Sequence, residues 1–115
     1  NEGDPNLWIT GVNDQTSTPV TRSSLRGSHV SVSRCGNYWI CDATGEERVP
    51  IYIGSIKSGK FRKLVESKTV HDGKQWSHTH PYVTADNKWL IYTSTRAGHP
   101  QVFGARIPDS FLEEL

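Results

Sequence analysis

The sequence predicts an all-β fold, on three observations. Short apolar runs alternate with polar residues at a period of two, which is typical of strands that bury one face. Gly, Pro, Asn and Asp interrupt these runs about every ten residues, where turns are expected. One segment also recurs along the chain, and a recurring segment is typical of a fold built from similar units.

The alternation predicts a series of short strands. They are Leu7–Val12, Val20–Leu25, His29–Ser33, Tyr38–Ala43, Pro50–Ile56, Phe61–Glu66, His80–Thr84, Lys88–Thr95 and Gln101–Ile107. Helix is expected only as a turn within Asp109–Leu115, where Asp109 is a candidate N-cap because its carboxylate accepts hydrogen bonds from unpaired backbone N–H groups. At 115 residues, the chain forms one small domain at most.

The recurring segment has a constant spacing. HVSVSRCGNYWICDAT, from His29, aligns without a gap with HPYVTADNKWLIYTST, from His80, at an offset of 51 residues. A second echo follows each copy, PIYIGSI from Pro50 and PQVFGARI from Pro100, and PNLWITGV from Pro5 is a looser third copy. The unit is therefore strand, tight turn, strand, turn, strand, and then a fourth strand.

A four-stranded meander that repeats every 40 to 50 residues or so is typical of β-propeller blades, whose inner strands line a central channel. We interpret residues 1–115 as a fragment of about two blades: 1–27 with outer strands of one blade, 28–74 a full blade, and 75–115 three strands of a last blade plus the C-terminal turn. A small sandwich is the alternative. The exposed edges require cover from further blades or from self-association, and the lack of an initiating Met favours a fragment or a processed piece.

Composition narrows the class of function. No apolar run approaches the roughly 18 residues that span a bilayer, so no membrane segment is expected. The net charge of +1 comes from 13 basic and 12 acidic residues scattered along the chain, which argues against nucleic-acid binding. Cys35 and Cys41 are too few for a disulfide scaffold and are interpreted as two reduced, buried thiols, although a bridge across the hairpin remains an alternative.

Histidines are the candidates for chemistry. His78 and His80 form a His-Thr-His motif, and on a strand this spacing places both imidazoles on one face, where they could bind one ion. Gln75 lies close enough to add an oxygen. His29 holds in the first repeat the position of His80 in the second, so neighbouring blades would direct imidazoles into the same channel.

Three imidazoles and an amide oxygen, with open positions for water or substrate, suit manganese, iron or zinc. The alternative is a set of surface histidines without a metal. Three carboxylates are candidates for the same region: Asp42, Asp72 and Asp86, the last interpreted as a turn residue. His71 and His99 adjoin turn residues and are interpreted as solvated.

The segment QWSHTHPYVTADNKWLIYTSTRAGHPQVFGARIPDSF, from Gln75, resembles the C-terminal blade of the oligogalacturonate lyases, and its second half resembles the wider TolB-like (PD40) repeat. The Gln-x-x-His-x-His-Pro element separates the two families. The lyase resemblance covers roughly His29 to Phe111. It implies a seven-bladed propeller that holds manganese in its channel, and the family's ligands correspond to the glutamine and three histidines already singled out: His29, Gln75, His78 and His80.

The resemblance also implies a reaction, β-elimination on short pectin-derived galacturonides. The family's catalytic base resembles an arginine in an earlier blade outside this chain, so no catalytic residue is assigned and the chain alone is expected to be inactive. Trp76, beside the histidine pair, is a candidate substrate contact. The alternatives are a TolB-like protein-interaction module without metal or catalysis, and a lyase for another uronate polysaccharide. Low cysteine usage and the family's intracellular members favour the cytoplasm.

Overall fold

The computed structural model describes residues 6–21, 25–70 and 74–115. Within these ranges, nine strands form antiparallel sheets of two, four and three strands, each in chain order. The strands are β1 (Leu7–Ile9), β2 (Thr18–Thr21), β3 (Val30–Val32), β4 (Tyr38–Asp42), β5 (Pro50–Ser55), β6 (Phe61–Glu66), β7 (Tyr82–Val83), β8 (Trp89–Ser94) and β9 (Gln101–Arg106). The sheets are β1–β2, β3–β6 and β7–β9, and they confirm the predicted all-β fold of antiparallel meanders.

Helix is confined to two short 3-10 turns in the described residues, Gln75–Ser77 and Leu112–Glu114. The second lies within the predicted C-terminal turn, but the prediction of Asp109 as its cap is wrong. Phe111 occupies the cap position, and the Asp109 carboxylate instead accepts a hydrogen bond from Arg106 at 3.0 Å. Among the described residues, no helix has the length and apolar character needed to cross a bilayer.

The repeat in the sequence is also a repeat in register. Val32 lies opposite Trp39 in the first copy, and Val83 lies opposite Leu90 in the second. The next ladder keeps the same offset of 51 residues, since the pair Tyr38–Ser55 corresponds to Trp89–Arg106. Three strands of each unit therefore superpose position by position.

The turn inside each unit is conserved between the copies as well. The N–H of Gly36 donates to the Ser33 carbonyl at 2.9 Å, and the N–H of Asn87 donates to the Thr84 carbonyl at 2.8 Å. Gly36 and Asn87 have φ values of 79° and 61°. Glycine and asparagine are the residues that adopt this left-handed backbone most readily, which explains the Gly-Asn and Asn-Lys sequences there.

The core lies between the four-stranded and three-stranded sheets. Its buried members come from both sheets and from the C-terminal segment: Ile40, Ile51, Ile53, Val83, Leu90, Tyr92, Ile107 and Phe111. Near the start of the inner strands, the Ser31 hydroxyl donates to the Pro81 carbonyl at 2.7 Å, which ties β3 to the segment before β7. Apolar burial and this bond fix the two sheets at the end where the candidate histidines lie.

Some predicted boundaries and side-chain positions require correction. The first predicted strand ends at Ile9 rather than Val12, and the second begins at Thr18, while residues 22–24 lie outside the described ranges. Cys41 is buried, as predicted, but Cys35 is exposed in the turn after β3, and both are free thiols. The division of the chain at residues 27 and 74 stays a prediction.

Candidate metal centre

Three imidazoles meet where β3 and β7 begin. His29, His78 and His80 each offer one nitrogen, and these nitrogens lie within 4.8 Å of one another. The ring centroids of His29 are 4.9 Å from His78 and 4.6 Å from His80, and the centroids of His78 and His80 are 5.8 Å apart. His29 immediately precedes β3 of the four-stranded sheet, so the predicted strand start at His29 is one residue early, and His78 and His80 precede β7 of the three-stranded sheet. The cluster therefore exists only when the two sheets pack together.

The His-Thr-His motif is placed by an extended segment rather than by a strand. His78 has extended dihedrals (φ −71°, ψ 146°), and Thr79 between the histidines is 1% exposed. The prediction that a strand begins at His80 is wrong, because His80 has a φ of 41° and β7 starts at Tyr82. With a left-handed backbone at His80, strand alternation does not by itself account for the closeness of the two imidazoles.

The ring of His29 is held from behind by Asp42, the last residue of β4. The Asp42 carboxylate is 0% exposed, lies 3.0 and 3.1 Å from Nδ1 of His29, and accepts from the His29 backbone N–H at 2.9 Å. Since a carboxylate can only accept, Nδ1 carries the proton and Nε2 keeps its lone pair. Asp42 is therefore hydrogen-bonded to one of the candidate metal ligands and is not itself placed as a ligand.

Gln75 lies in the first 3-10 turn, next to His80. Its side-chain nitrogen Nε2 is 3.0 Å from Nε2 of His80, so the amide donates to an unprotonated ring nitrogen. Half a turn of the amide about its last bond exchanges its nitrogen and oxygen. Gln75 is thus placed to offer an oxygen to whatever His80 binds.

An open groove of about 460 Å³ runs beside the histidines. It is lined by Gln75, Trp76, His78, His80, Thr93, Pro100, Gln101 and Val102. Trp76 is 62% exposed, and Nζ of Lys74 lies 5.7 Å over its ring. The groove therefore combines an aromatic wall, a nearby cation and two of the three clustered imidazoles.

The remaining candidates lie elsewhere. Oδ1 of Asp86 accepts from the Thr84 hydroxyl at 2.6 Å and the Lys88 N–H at 3.0 Å, and these hydrogen bonds lower the pKa of the Asp86 carboxyl. Asp86 is a turn residue, as its sequence context indicates. His99 lines a separate groove with Gly98. His71 and Asp72 lie outside the described residues.

The donor set fits a divalent transition ion. Nitrogens on one ion with bonds of about 2.1 Å lie about 3.0–3.4 Å apart when they are neighbours and about 4.2 Å apart when they are opposite, so the three nitrogens, all within 4.8 Å of one another, would move closer together to share an ion. Neutral imidazole and an amide oxygen are ligands that manganese, iron and zinc all accept.

The chain is similar in sequence to two lyases that act on oligogalacturonates. The oligogalacturonide lyase of Pectobacterium atrosepticum is 33% identical over 64 residues, and the oligogalacturonate lyase of Dickeya dadantii is 31% identical over 64 residues. The chain resembles the oligogalacturonate lyases. Each match covers 52% of the chain, which spans only 16% of the length of either lyase. No family profile matches the chain.

Solved structures extend the similarity to the fold. An oligogalacturonate lyase in complex with manganese superposes with a TM-score of 0.71 at 26% identity, over 84% of this chain and 27% of that lyase. The oligogalacturonate lyase of Vibrio parahaemolyticus gives 0.69 at 25% identity, over 84% and 28% of the two chains. TolB from Acinetobacter baumannii gives 0.69 at 20% identity, over 89% and 24%, and shows the fold alone. The predicted resemblance and the propeller blades are thereby confirmed.

Proposed function

We propose that this chain supplies the metal-binding half of a lyase site that cleaves short pectin-derived galacturonides by β-elimination. The observation that carries the proposal is the convergence of His29, His78 and His80, from two sheets, within 4.8 Å and beside an open groove. The similar proteins named as oligogalacturonate lyases support the reaction. The manganese in one of those lyases supports manganese as the ion, with zinc or iron within reach of the same donors.

The residues of this chain would act mainly as metal ligands. A divalent ion would be held by Nε2 of His29, one nitrogen from each of His78 and His80, and the oxygen of a turned Gln75 amide. A divalent cation bound there supplies Lewis-acid polarisation of a uronate carboxylate, which acidifies the proton on the neighbouring carbon. Because the donors are attached to two packed sheets, the fold brings them near one another before substrate arrives.

The groove would receive the sugar. The exposed indole of Trp76 offers an apolar face against which a sugar ring packs, and Lys74 adds positive charge near an acidic substrate. In the elimination, a base takes the proton next to the carboxylate and the 4-oxygen leaves with its bonding electrons, which produces an unsaturated sugar. The base comes from a part of the enzyme beyond this chain, so we expect the chain alone to bind metal without turnover.

Metal content tests the proposal directly. The chain is dialysed against a mild chelator, manganese is added back, and bound metal is measured by elemental analysis in the unmodified chain, a His78→Ala, His80→Ala double variant and a His99→Ala control. We expect near-stoichiometric manganese in the unmodified chain and in the control, and loss of it in the double variant, because His99 lies outside the cluster.

Two results would contradict the proposal. Equal metal in all three proteins would mean that binding occurs elsewhere, and absence of metal from the folded, unmodified chain would favour a TolB-like interaction module.

A second measurement tests the proposed contact between Trp76 and the substrate. Trp76→Ala should weaken binding of unsaturated digalacturonate to the metal-loaded chain while leaving its metal content unchanged. Unchanged binding of the sugar would remove Trp76 from the site.

A further inference from the structure

One buried carboxylate contacts both units of the repeat. Asp42 on β4 accepts hydrogen bonds from the backbone N–H and Nδ1 of His29, and it also accepts the Thr79 hydroxyl at 2.7 Å. Thr79 is the residue between His78 and His80. Asp42 is therefore hydrogen-bonded to one candidate ligand, just before β3 of its own sheet, and to the segment that carries the other two.

We infer that Asp42 is a positioning residue, which sets the tautomer of His29 and holds the histidines of neighbouring blades at metal-binding distance. The inference rests on the proposed function for the identity of the metal ligands. Its physical basis is that the ring nitrogen opposite a carboxylate-bonded nitrogen keeps its lone pair for a metal. The Thr79 bond adds a fixed link across the boundary between the sheets.

The repeat itself separates this role from a structural one. At an offset of 51 residues, the position of Asp42 is occupied by Thr93 in the second unit, with the same strand and register. The blade fold therefore does not require an acid at this position. His80, which corresponds to His29, contacts the Gln75 amide instead. The carboxylate occurs only in the unit where an imidazole and a threonine hydroxyl both face it.

Burial shields the hydrogen bonds of Asp42 from water. Asp42 and Thr79 are 0% and 1% exposed, so water does not compete for their hydrogen bonds. Three donors satisfy the buried carboxylate: one N–H of the backbone, one ring N–H and one hydroxyl. Replacing Asp42 with Asn keeps the size and leaves one oxygen, which accepts from the His29 backbone N–H in the place of Oδ1. The NH₂ group then takes the place of Oδ2, next to Nδ1 of His29 and the Thr79 hydroxyl, and donation to Nδ1 favours the tautomer with the proton on Nε2.

The tautomer is measured by nitrogen-15 NMR of the imidazoles in the metal-free chain, with His29 assigned from a His29→Gln variant. We expect a protonated Nδ1 in the unmodified chain and in an Asp86→Asn control, which alters an exposed turn carboxylate. In Asp42→Asn we expect the proton to move to Nε2, and titration with manganese to show about 10- to 100-fold weaker affinity. An unchanged tautomer with unchanged manganese affinity would overturn the inference.

A milder pair keeps the test decisive if Asp42→Asn does not fold. Thr79→Val removes the hydroxyl that bonds Asp42, and Thr79→Ser retains it. We expect weaker manganese binding in the valine variant and near-normal binding in the serine variant, and equal binding by both would contradict the link across the sheets. If the unmodified chain binds no manganese, the proposed function fails while the NMR comparison still decides the role of Asp42.

Discussion

The two units of the repeat have the same strands and register but opposite burial on the same face. Ile51 and Ile53 of the first unit are 0% exposed. At the corresponding positions of the second unit, Val102 is 73% exposed and Gly104 is also exposed. The reason is stacking, since the face of the first unit that carries Ile51 packs on the opposite face of the second, which carries Leu90.

The other face is buried in both units at Trp39, 1% exposed, and its counterpart Leu90, 0% exposed, and it differs on the inner strand. Val83 of the second unit is 8% exposed, whereas its counterpart Val32 in the first unit is 58% exposed. The two units thus cover one face of each other, and the face of the second unit that carries Val102 is exposed. At the positions of Ile51 and Val83, burial is therefore set by the neighbouring sheet and not by the repeated sequence.

The largest expected effect tests this stacking. Ile51→Ala should lower the free energy of unfolding by about 2–5 kcal/mol, because it leaves a cavity between the two sheets. Val102→Ala, at the equivalent position, should change it by less than about 0.5 kcal/mol because its side chain is exposed. Urea denaturation of both variants measures the difference. Similar losses would mean that the face of the second unit is covered in solution.

A smaller effect is expected at the glycines of β5 and β9. A Cβ at Gly54 would lie 2.2 Å from Cζ2 of Trp39, whereas a Cβ at Gly104 would lie 3.6 Å from Cδ1 of Ile91. Gly54→Ala should therefore destabilise the chain by about 1–3 kcal/mol, and Gly104→Ala by much less. Thermal unfolding of the two variants checks this.

The second unit explains the requirement for glycine. By register, Ala105 corresponds to Gly54, and its cross-strand partner is Leu90 in place of Trp39. The smaller Leu90 side chain leaves room for a methyl group. Accordingly, a Trp39→Leu change should relieve part of the cost of Gly54→Ala, and the absence of any relief would contradict this pairing.

The smallest expected effect is on the reactivity of a thiol in a turn. Cys35 in the turn of the first unit and Asp86 in the turn of the second unit occupy equivalent positions of the repeat. The pKa of the Cys35 thiol is lowered by hydrogen bonds from the Ser33 hydroxyl and the Asn37 backbone N–H. The pKa of the Asp86 carboxyl is lowered in the same way, by the Thr84 hydroxyl and the Lys88 backbone N–H. A lowered thiol pKa means more thiolate at a given pH, and the thiolate is the reactive form. Cys35 should therefore react with iodoacetamide near neutral pH in the folded chain, and Ser33→Ala should slow the reaction.

Cys41 is the internal control for that measurement. Burial raises the pKa of the Cys41 thiol to about 12, so it stays protonated across the neutral range. It should be alkylated only after unfolding. Labelling followed by mass spectrometry distinguishes the two sites, and equal rates for Cys35 and Cys41 in the folded chain would contradict the pKa directions.

The sequence predicted that the three histidines lie together but not which residues hold them there, and their role as metal ligands stays a prediction. The His-Thr-His motif, Gln75 and the repeat were enough to predict that His29, His78 and His80 lie close together. Units with the same strand register place equivalent residues at equivalent positions of neighbouring sheets. The 3-10 turn at Gln75 and the left-handed backbone at His80 carry no strong local signal. Neither the bond from Thr79 to Asp42, 37 residues away, nor the exposure of Cys35 follows from periodicity.

By itself, the sequence determined the meander, its turns and the offset between units, since alternation and left-handed turn residues act over a few neighbours along the chain. Only the tertiary structure decided which face of each unit is buried, that Asp42 faces both His29 and Thr79, and that three imidazoles converge. These depend on contacts between sheets, and such contacts arise from packing, in which residues distant in sequence exclude water together.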